Sequence, residues 1–165
     1  MDEKSVKSID WESWVPVDVA TLLFVIRDGQ VLLIRKKRGL GAGKINAPGG
    51  RVDPGETPLE AAIREVQEEV LVTPVGVRKC GVHRFQFVDG YSLHVHVYAS
   101  SDFEGTPGET DEAVPLWFPT GNIPYGEMWA DDVLWVPLLL AETWFDGRWV
   151  FDGDKIIDYV LEEGS

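Results

Sequence analysis

The sequence predicts an α+β or α/β sandwich with a mixed central sheet, because apolar strand patterns precede, separate and follow two helical patterns. A length of 165 residues is enough for one domain with a sizeable core, and a hydrophobic fraction of 44% is ordinary for a globular protein. Neither a linker nor an internal repeat divides the chain. We therefore expect a single domain over residues 14–165, preceded by an extension over residues 1–13.

The strands are predicted from short runs of β-branched and aromatic residues that end at turn residues. Asp28-Gly29 is a hairpin signal between the first two runs, and Asp89-Gly90 joins a later pair. The predicted strands cover residues 20–26, 31–34, 81–88, 93–99, 114–118, 149–151 and 156–160.

Two helices are predicted, over residues 57–71 and 132–142. In the first, Thr57 is a suitable N-cap, Pro58 suits the first helical position, and Glu60 completes a capping box. Apolar residues recur at helical spacing and form one stripe along this helix. The stripe consists of Leu59, Ala62, Ile63, Val66 and Val70.

The composition limits the kinds of partner. A net charge of −13 disfavours binding to nucleic acid polymers and to anionic membranes. No apolar run reaches the roughly 18 residues of a membrane span, and the polar, acidic start does not resemble a secretory signal. The one cysteine, Cys80, cannot form an intramolecular disulfide and is expected to be a small buried hydrophobe. These features favour a cytoplasmic protein with a small-molecule partner.

Basic residues concentrate in one stretch although the chain as a whole is acidic. Six lie between Arg35 and Arg51, with no acidic residue among them, and a glycine-rich loop over residues 39–43 interrupts the stretch. It can be interpreted as a solvated basic loop or as a cationic rim beside a phosphate site.

The first helix carries an unusual acidic set. Glu65, Glu68 and Glu69 fall within roughly 100° of the helical circumference, beside the apolar stripe. Such carboxylates repel one another, so a bound cation would stabilise the cluster. Mg²⁺ prefers oxygen ligands and often binds carboxylates together with substrate phosphates. A magnesium–phosphate site is therefore one interpretation, and a solvated acidic face is the other.

The spacing around this cluster resembles the signature of the Nudix hydrolase family. Gly50, five residues, Glu56, seven residues and then Arg64-Glu65-Val66-Gln67-Glu68-Glu69 match its charged positions. One position departs, because Leu71 stands where the family usually has a glycine that helps to end the helix. The resemblance implies a Nudix αβα sandwich with a mixed central sheet.

The resemblance also implies roles for individual residues. The cofactor implied is Mg²⁺, with Mn²⁺ as an alternative. Glu56 would stabilise the loop or assist the metal-bound water, and Arg64 would orient a glutamate. Which carboxylate is the general base is left open, with Glu112 as one candidate. The metal ligands implied are the Gly49 carbonyl, Glu65, Glu68, Glu69 and Glu112.

Stretches outside the signature resemble the MutT-like branch of the family that acts on oxidised purine nucleoside triphosphates. The likeness extends from about residue 21 to residue 161. The stretches that carry it are residues 36–43, Asn46, residues 105–107, 111–112, 117–118, 123–124, 128–132, 135–140 and 157–159.

This second resemblance implies a purine pocket. Asn46 offers donors and acceptors, and Trp129 offers a stacking face. Asp131 and Asp132 could share one proton in a dry pocket and so both accept and donate. On their own, these aspartates could equally cap the second helix, and Trp129 could be plain core. The substrate-binding residues implied are Thr21, Lys36, Asn46, Phe85, Phe87, Trp129, Asp131 and Asp132.

The expected function is Mg²⁺-dependent hydrolysis of an oxidised purine nucleoside triphosphate to the monophosphate and pyrophosphate. Four pocket positions depart from the branch, which leaves the preference among 8-oxo-dGTP, 2-oxo-dATP, O6-methylated and ordinary nucleotides open. Other substrates, such as ADP-ribose or a dinucleoside polyphosphate, and a non-catalytic nucleotide-binding module are the alternatives. The oligomeric state, monomer or otherwise, is also left open. The departing residues are Leu40, Ile45, Pro48 and Leu93.

Overall fold

The computed structural model describes residues 5–164, which form nine strands, two α-helices and two short 3-10 helices. The strands are β1 Asp18–Arg27, β2 Gln30–Lys36, β3 Ile45–Asn46, β4 Gly49–Arg51, β5 Val72–Phe87, β6 Ser92–Gly105, β7 Ala113–Pro119, β8 Phe145–Asp152 and β9 Lys155–Glu163. The helices are α1 Pro58–Val70 and α2 Asp132–Leu140, and the 3-10 helices are Val6–Ser8 and Tyr125–Glu127.

The strands form one mixed sheet in the order β3-β2-β1-β6-β5-β8-β9, with β4 paired to β1 and β7 paired to β2. The β1–β6 and β5–β8 pairs are parallel, whereas the other pairs are antiparallel. Helix α1 packs on one face of this sheet and α2 on the other. The predicted αβα sandwich with a mixed sheet is confirmed.

Two apolar layers hold the sandwich together. On the α1 face, Val66 and Val70 pack with Leu23, Leu32 and other aliphatic residues of the sheet. On the α2 face the core is strongly aromatic, and its members include Phe24, Trp135, Phe145, Trp149 and Phe151. Alternation along β1 sends neighbouring residues to opposite layers, as the strand period of two requires.

Helix α1 begins as predicted, with a capping box. The Thr57 side chain accepts the Glu60 backbone N–H, and the Glu60 carboxylate accepts the Thr57 backbone N–H. At the other end Leu71 takes the left-handed conformation, with φ of 68°, that the family usually gives to glycine. That conformation costs a non-glycine residue roughly 1–2 kcal/mol. The apolar stripe was wrong at Leu59, whose surface is 43% exposed.

Several predicted strands are longer in the structure than their patterns indicated. Strand β5 begins at Val72, not at residue 81, because its first half pairs antiparallel with the end of β6 in spite of Pro74 and Gly76. Strands β3 and β4 have only two and three residues and no apolar pattern, so the sequence did not predict them. Cys80 is buried, as predicted. No helix within residues 5–164 is long and apolar enough to cross a membrane.

Candidate active site

One cavity of about 700 Å³ lies between the sheet and the start of α2. It brings together most of the residues that were predicted from the sequence to bind the metal or the substrate or to act in catalysis. Glu56, Arg64 and Glu68 do not line it. The proposed residues that do are Thr21, Lys36, Asn46, Gly49, Glu65, Glu69, Phe85, Phe87, Glu112, Trp129, Asp131 and Asp132.

One end of the cavity, here called the carboxylate end, is formed by Glu65 and Glu69 of α1 with Gly49 and Gly50 of β4. The two glutamates are four residues apart and therefore lie on one helical face. Glu69 is only 2% exposed, and its Oε1 accepts the Gly49 backbone N–H at 2.8 Å.

The glycines at this end are required by close backbone approach. A Cβ on Gly49 would lie 1.9 Å from the carbonyl oxygen of Thr21. A Cβ on Gly50 would lie 2.5 Å from the carboxyl carbon of Glu65. Both distances are far inside van der Waals contact, so the glycine pair is what allows β4 to lie against both β1 and α1.

The electrostatics of this end favour a bound cation. Burial raises the pKa of Glu69 to about 8; the Gly49 hydrogen bond opposes this, while the charges of Glu65 and Glu112 add to it. Burial also raises the pKa of Glu65 above its ordinary value. A divalent cation would remove the repulsion among these carboxylates and supply the charge that their burial disfavours.

The protein groups at this end fit a metal that is shared with a ligand. Within residues 5–164, no three acidic, histidine or cysteine groups lie close enough to form a complete metal site on their own. Mg²⁺ typically takes one or two carboxylates and completes its shell with waters and substrate phosphates. The buried oxygens of Glu65 and Glu69 suit that kind of site.

Arg64 ties the carboxylates of α1 to the preceding loop. It binds Glu56 through two hydrogen bonds, of 2.7 and 2.9 Å, and also donates to Glu65 at 2.8 Å and to Glu68 at 3.1 Å. Hydrogen bonding to Arg64, with a further bond from the Asp53 backbone, lowers the pKa of Glu56 to about 2. In this geometry Glu56 and Arg64 hold the loop and orient Glu65 from outside the cavity.

Basic side chains from the predicted cationic stretch surround the same end. Lys36, Arg38 and Arg51 line the cavity. The Arg38 guanidinium donates to Glu112 at 3.2 Å, and the Lys36 ammonium donates to the Leu40 carbonyl at 2.8 Å. These cations face the site of an otherwise acidic chain, which favours an anionic ligand.

At the other end of the cavity lie Asp131 and Asp132, here called the aspartate pair, which are 3% and 2% exposed. Asp131 Oδ2 accepts the Trp135 indole N–H at 2.7 Å, whereas Asp132 Oδ2 has no partner among the described residues. The hydrogen bond to Trp135 is not a helix cap, since Asp131, at the N-cap position of α2, makes no side-chain cap bond. The helix-capping alternative is therefore wrong.

The charge state of the aspartate pair follows from its burial. Burial raises the pKa of Asp131 to about 6, against the effect of the Trp135 hydrogen bond. Burial and the neighbouring Asp131 charge raise the pKa of Asp132 further above its ordinary value. Both shifts favour retention of a proton by the pair, and the added repulsion from Asp131 makes Asp132 the carboxyl that we assign to hold it.

Aromatic side chains form the walls between the two ends. Phe87 meets Trp129 edge to face at 6.3 Å, and Phe85 lies parallel to the buried Trp149 at 6.2 Å. A Cβ on Gly41 would lie 2.8 Å from the Trp129 indole nitrogen, so the glycine-rich loop fits closely against that ring.

Asn46 lies on the floor of the cavity in β3. Its side-chain oxygen accepts the Ala47 backbone N–H at 2.9 Å, and no acceptor within residues 5–164 binds its amide nitrogen. The amide N–H groups are therefore available to a ligand acceptor.

Sequence reasoning missed several residues that line the cavity. Asp18 and Leu22 follow from the period of two along β1, and Trp135 from its place one helical turn after Asp131, so those signals were available. Tyr91 lies between the turn after β5 and the start of β6. Phe151 reaches the cavity because β8 pairs with β5 in parallel, with Phe151 opposite Phe87. That pairing cannot be derived from local patterns.

The fold and the carboxylate end together define the class of protein. The family model described as the NUDIX domain matches residues 10–139, which is more than half of the chain. The chain therefore belongs to the Nudix family and is a Nudix hydrolase.

Two relatives resemble it over most of their length. The chain is 45% identical over 145 residues to the oxidized purine nucleoside triphosphate hydrolase of Danio rerio, covering 87% of this chain and 93% of that protein. It is 41% identical over 145 residues to the protein of the same name from Mus musculus, with the same coverage. The MutT protein of Bacillus halodurans shares the fold, with a TM-score of 0.78 at 23% identity over 88% of this chain and 98% of that one.

Proposed function

We propose that this chain hydrolyses oxidised purine nucleoside triphosphates, with 8-oxo-dGTP as the leading substrate, to the monophosphate and pyrophosphate. Mg²⁺ is the proposed cofactor, with Mn²⁺ as an alternative, and the proposed setting is the cytoplasmic pool of free nucleotides. The observation that carries the proposal is that the buried aspartate pair and the carboxylate end line the same cavity. The names of the zebrafish and mouse relatives agree with it.

The aspartate pair suits a modified purine edge. With Asp132 protonated and Asp131 ionised, the pair presents one donor and one acceptor side by side. Oxidation of guanine at C8 turns N7 from an acceptor into an N–H donor and adds a carbonyl acceptor, so it changes the hydrogen-bonding edge of the base. A dry site whose polar groups match one such edge rejects an edge that leaves them unpaired.

At the carboxylate end, the proposed metal ligands are Glu65 and Glu69, with Glu68, Glu112 and the Gly49 carbonyl as further candidates. When bound, Mg²⁺ polarises phosphoryl oxygens and neutralises the charge that develops on them. Lys36 and Arg38 attract and orient the phosphate chain. Glu112 lies at the rim and is a candidate to accept a proton from the attacking water, because a base must lie within hydrogen-bond reach of that water.

The direct test compares kcat/KM for 8-oxo-dGTP, dGTP and ADP-ribose, with Mg²⁺ and with a chelator, and identifies products by chromatography. We expect a preference for 8-oxo-dGTP over dGTP of at least about tenfold, release of pyrophosphate, and loss of turnover without metal. Equal rates for the two triphosphates, or a preference for ADP-ribose, would overturn the proposed substrate and leave the family assignment intact.

Trp135→Phe is expected to raise KM for 8-oxo-dGTP about tenfold with little change in kcat. The indole N–H stabilises the ionised Asp131, and a hydrogen bond to a charged group is worth roughly 1.5–3 kcal/mol. Trp149→Phe is the matched control, because Trp149 lies in the same aromatic core and donates instead to His83 at 2.9 Å. It should lower the melting temperature without raising KM. Equal KM values in the two variants would contradict the role given to Trp135.

A further inference from the structure

Asp18 and Tyr91, here called the sugar corner, also line the cavity and belong to neither the aspartate pair nor the carboxylate end. The Tyr91 hydroxyl donates to Asp18 Oδ2 at 2.8 Å. The Asp18 side chain is 27% exposed, and its second oxygen, Oδ1, accepts no hydrogen bond from the described residues. The corner therefore presents an unfilled carboxylate acceptor to the cavity.

The sugar corner lies between residues next to the carboxylate end and the aromatic wall of the cavity. On one side, Arg51 Nη1 lies 3.9 Å from Asp18 Oδ2, and Arg51 directly follows Gly49 and Gly50 in β4. On the other side, the Tyr91 ring lies 5.8 Å from Phe87, which contacts Trp129. In a nucleotide the sugar joins the base to the phosphates, so the sugar is the part that would lie here.

The corner is held in place by contacts on the back of the sheet. The side-chain amide of Gln86 donates to the Tyr91 carbonyl at 3.1 Å, and the Trp14 indole N–H donates to Gln86 at 2.9 Å. The backbone N–H of Val17, next to Asp18, donates to the buried hydroxyl of Ser92 at 2.8 Å. Groups fixed in this way before binding lose little entropy when a ligand arrives.

The chemistry of the corner selects among the groups of a nucleotide. A carboxylate repels phosphate oxygens and accepts hydrogen bonds from hydroxyl donors. Burial and the Asp18 hydrogen bond raise the pKa of Tyr91 to about 12, so the phenol keeps its proton and remains a donor to Asp18. The sugar hydroxyls are the donors that a nucleotide offers between its base and its phosphates.

We propose that Asp18, positioned by Tyr91, binds a sugar hydroxyl of the nucleotide and so makes this hydrolase selective for the sugar as well as for the base. The inference rests on the proposed function insofar as the cavity takes a nucleotide. It assigns Asp18 as a substrate-contacting residue and Tyr91 as the residue that orients it.

The test is calorimetric binding of 8-oxo-GMP and its 2′,3′-dideoxy analogue without metal, so that no turnover is needed. The wild-type protein should bind the hydroxyl-bearing nucleotide at least about tenfold more tightly, as expected for a hydrogen bond to a charged group. Asp18→Ala should bind the two nucleotides alike. Tyr91→Phe keeps the ring and the carboxylate, and should reduce the ratio without abolishing binding. Tyr159→Phe, on the half-exposed strand β9, is the control and should keep the wild-type ratio.

Two outcomes would overturn the proposed role of the sugar corner. One is a wild-type protein that binds both nucleotides equally, and the other is a wild-type ratio retained in Asp18→Ala. The same measurements with GMP and 2′,3′-dideoxy-GMP separate this inference from the proposed function. If the proposed base preference fails, oxidised and ordinary nucleotides bind alike while the sugar ratio persists. If only the inference about the sugar corner is wrong, the oxidised base is still preferred, while the hydroxyl-bearing and dideoxy nucleotides bind equally.

Discussion

Glu69→Gln is expected to lower kcat for 8-oxo-dGTP about a thousandfold while the protein stays folded. Metal-assisted stabilisation of phosphoryl transfer supplies several kcal/mol, and each 1.36 kcal/mol corresponds to a factor of ten in rate. Glutamine can still accept the Gly49 N–H that Glu69 accepts at 2.8 Å, so the loop should keep its place. Steady-state kinetics at saturating Mg²⁺ measures the loss.

The same substitution should stabilise the metal-free protein at alkaline pH. Burial raises the pKa of Glu69 from 4.5 to about 8, so the folded state retains a proton that the unfolded chain loses. The free energy of unfolding therefore falls as pH rises from about 4.5 to 8 in the wild type, and glutamine removes this loss. Urea unfolding at pH 6 and pH 8.5 measures it. Glu104→Gln, an exposed change on β6, is the control for both experiments. A Glu69→Gln protein that keeps more than a tenth of wild-type kcat would contradict the role of Glu69.

The second large effect is expected at the aspartate pair, where two isosteric changes should differ. Asp131→Asn should abolish the preference for 8-oxo-dGTP over dGTP, a loss of at least about tenfold in the ratio of kcat/KM values. Its amide oxygen would take the Trp135 N–H, so the free position would present a donor where the wild type presents an acceptor. Asp132→Asn should keep most of the preference, because an amide N–H replaces the proton that we assign to Asp132.

The two variants should also differ from the wild type in pH dependence. Because burial raises both pKa values of the pair, the wild type should lose base selectivity as rising pH removes the proton from Asp132. Asp132→Asn has no such proton and should hold its selectivity constant. Dissociation constants for 8-oxo-dGMP between pH 6 and 9 test this. Equal losses of selectivity in Asp131→Asn and Asp132→Asn would contradict the proton assignment.

The carboxylate end could be predicted from sequence because its determinants are local. Helical spacing places Glu65 and Glu69 on one face, and the glycines stand at a fixed distance before them. Helical spacing groups Glu68 with Glu65 and Glu69, whereas in the structure Glu68 does not line the cavity and accepts a hydrogen bond from Arg64.

The aspartate pair could be assigned to the substrate pocket only through resemblance, since its burial and charge state depend on long-range packing. Asp131-Asp132 is an ordinary start of a helix by local pattern, and it is burial beside the aromatic core that raises the pKa values of the pair. Tyr91 was not predicted to line the cavity for a similar reason. Its partner Asp18 is 73 residues away and reaches it through the parallel pairing of β1 with β6. Leu59 fitted the apolar stripe of α1 but lies in the first turn, where it is exposed and outside the apolar cluster that contains Val66 and Val70.

In the function proposed for this chain, one cavity separates two tasks, with chemistry at Glu69 and base recognition at Asp131. The most direct test is the ratio of dissociation constants for 8-oxo-dGMP and dGMP, measured by calorimetry without metal in the wild type, Glu69→Gln and Asp131→Asn. We expect the wild type to prefer the oxidised base, and we expect this preference to be retained in Glu69→Gln and lost in Asp131→Asn. A preference lost in Glu69→Gln, or retained in Asp131→Asn, would contradict it.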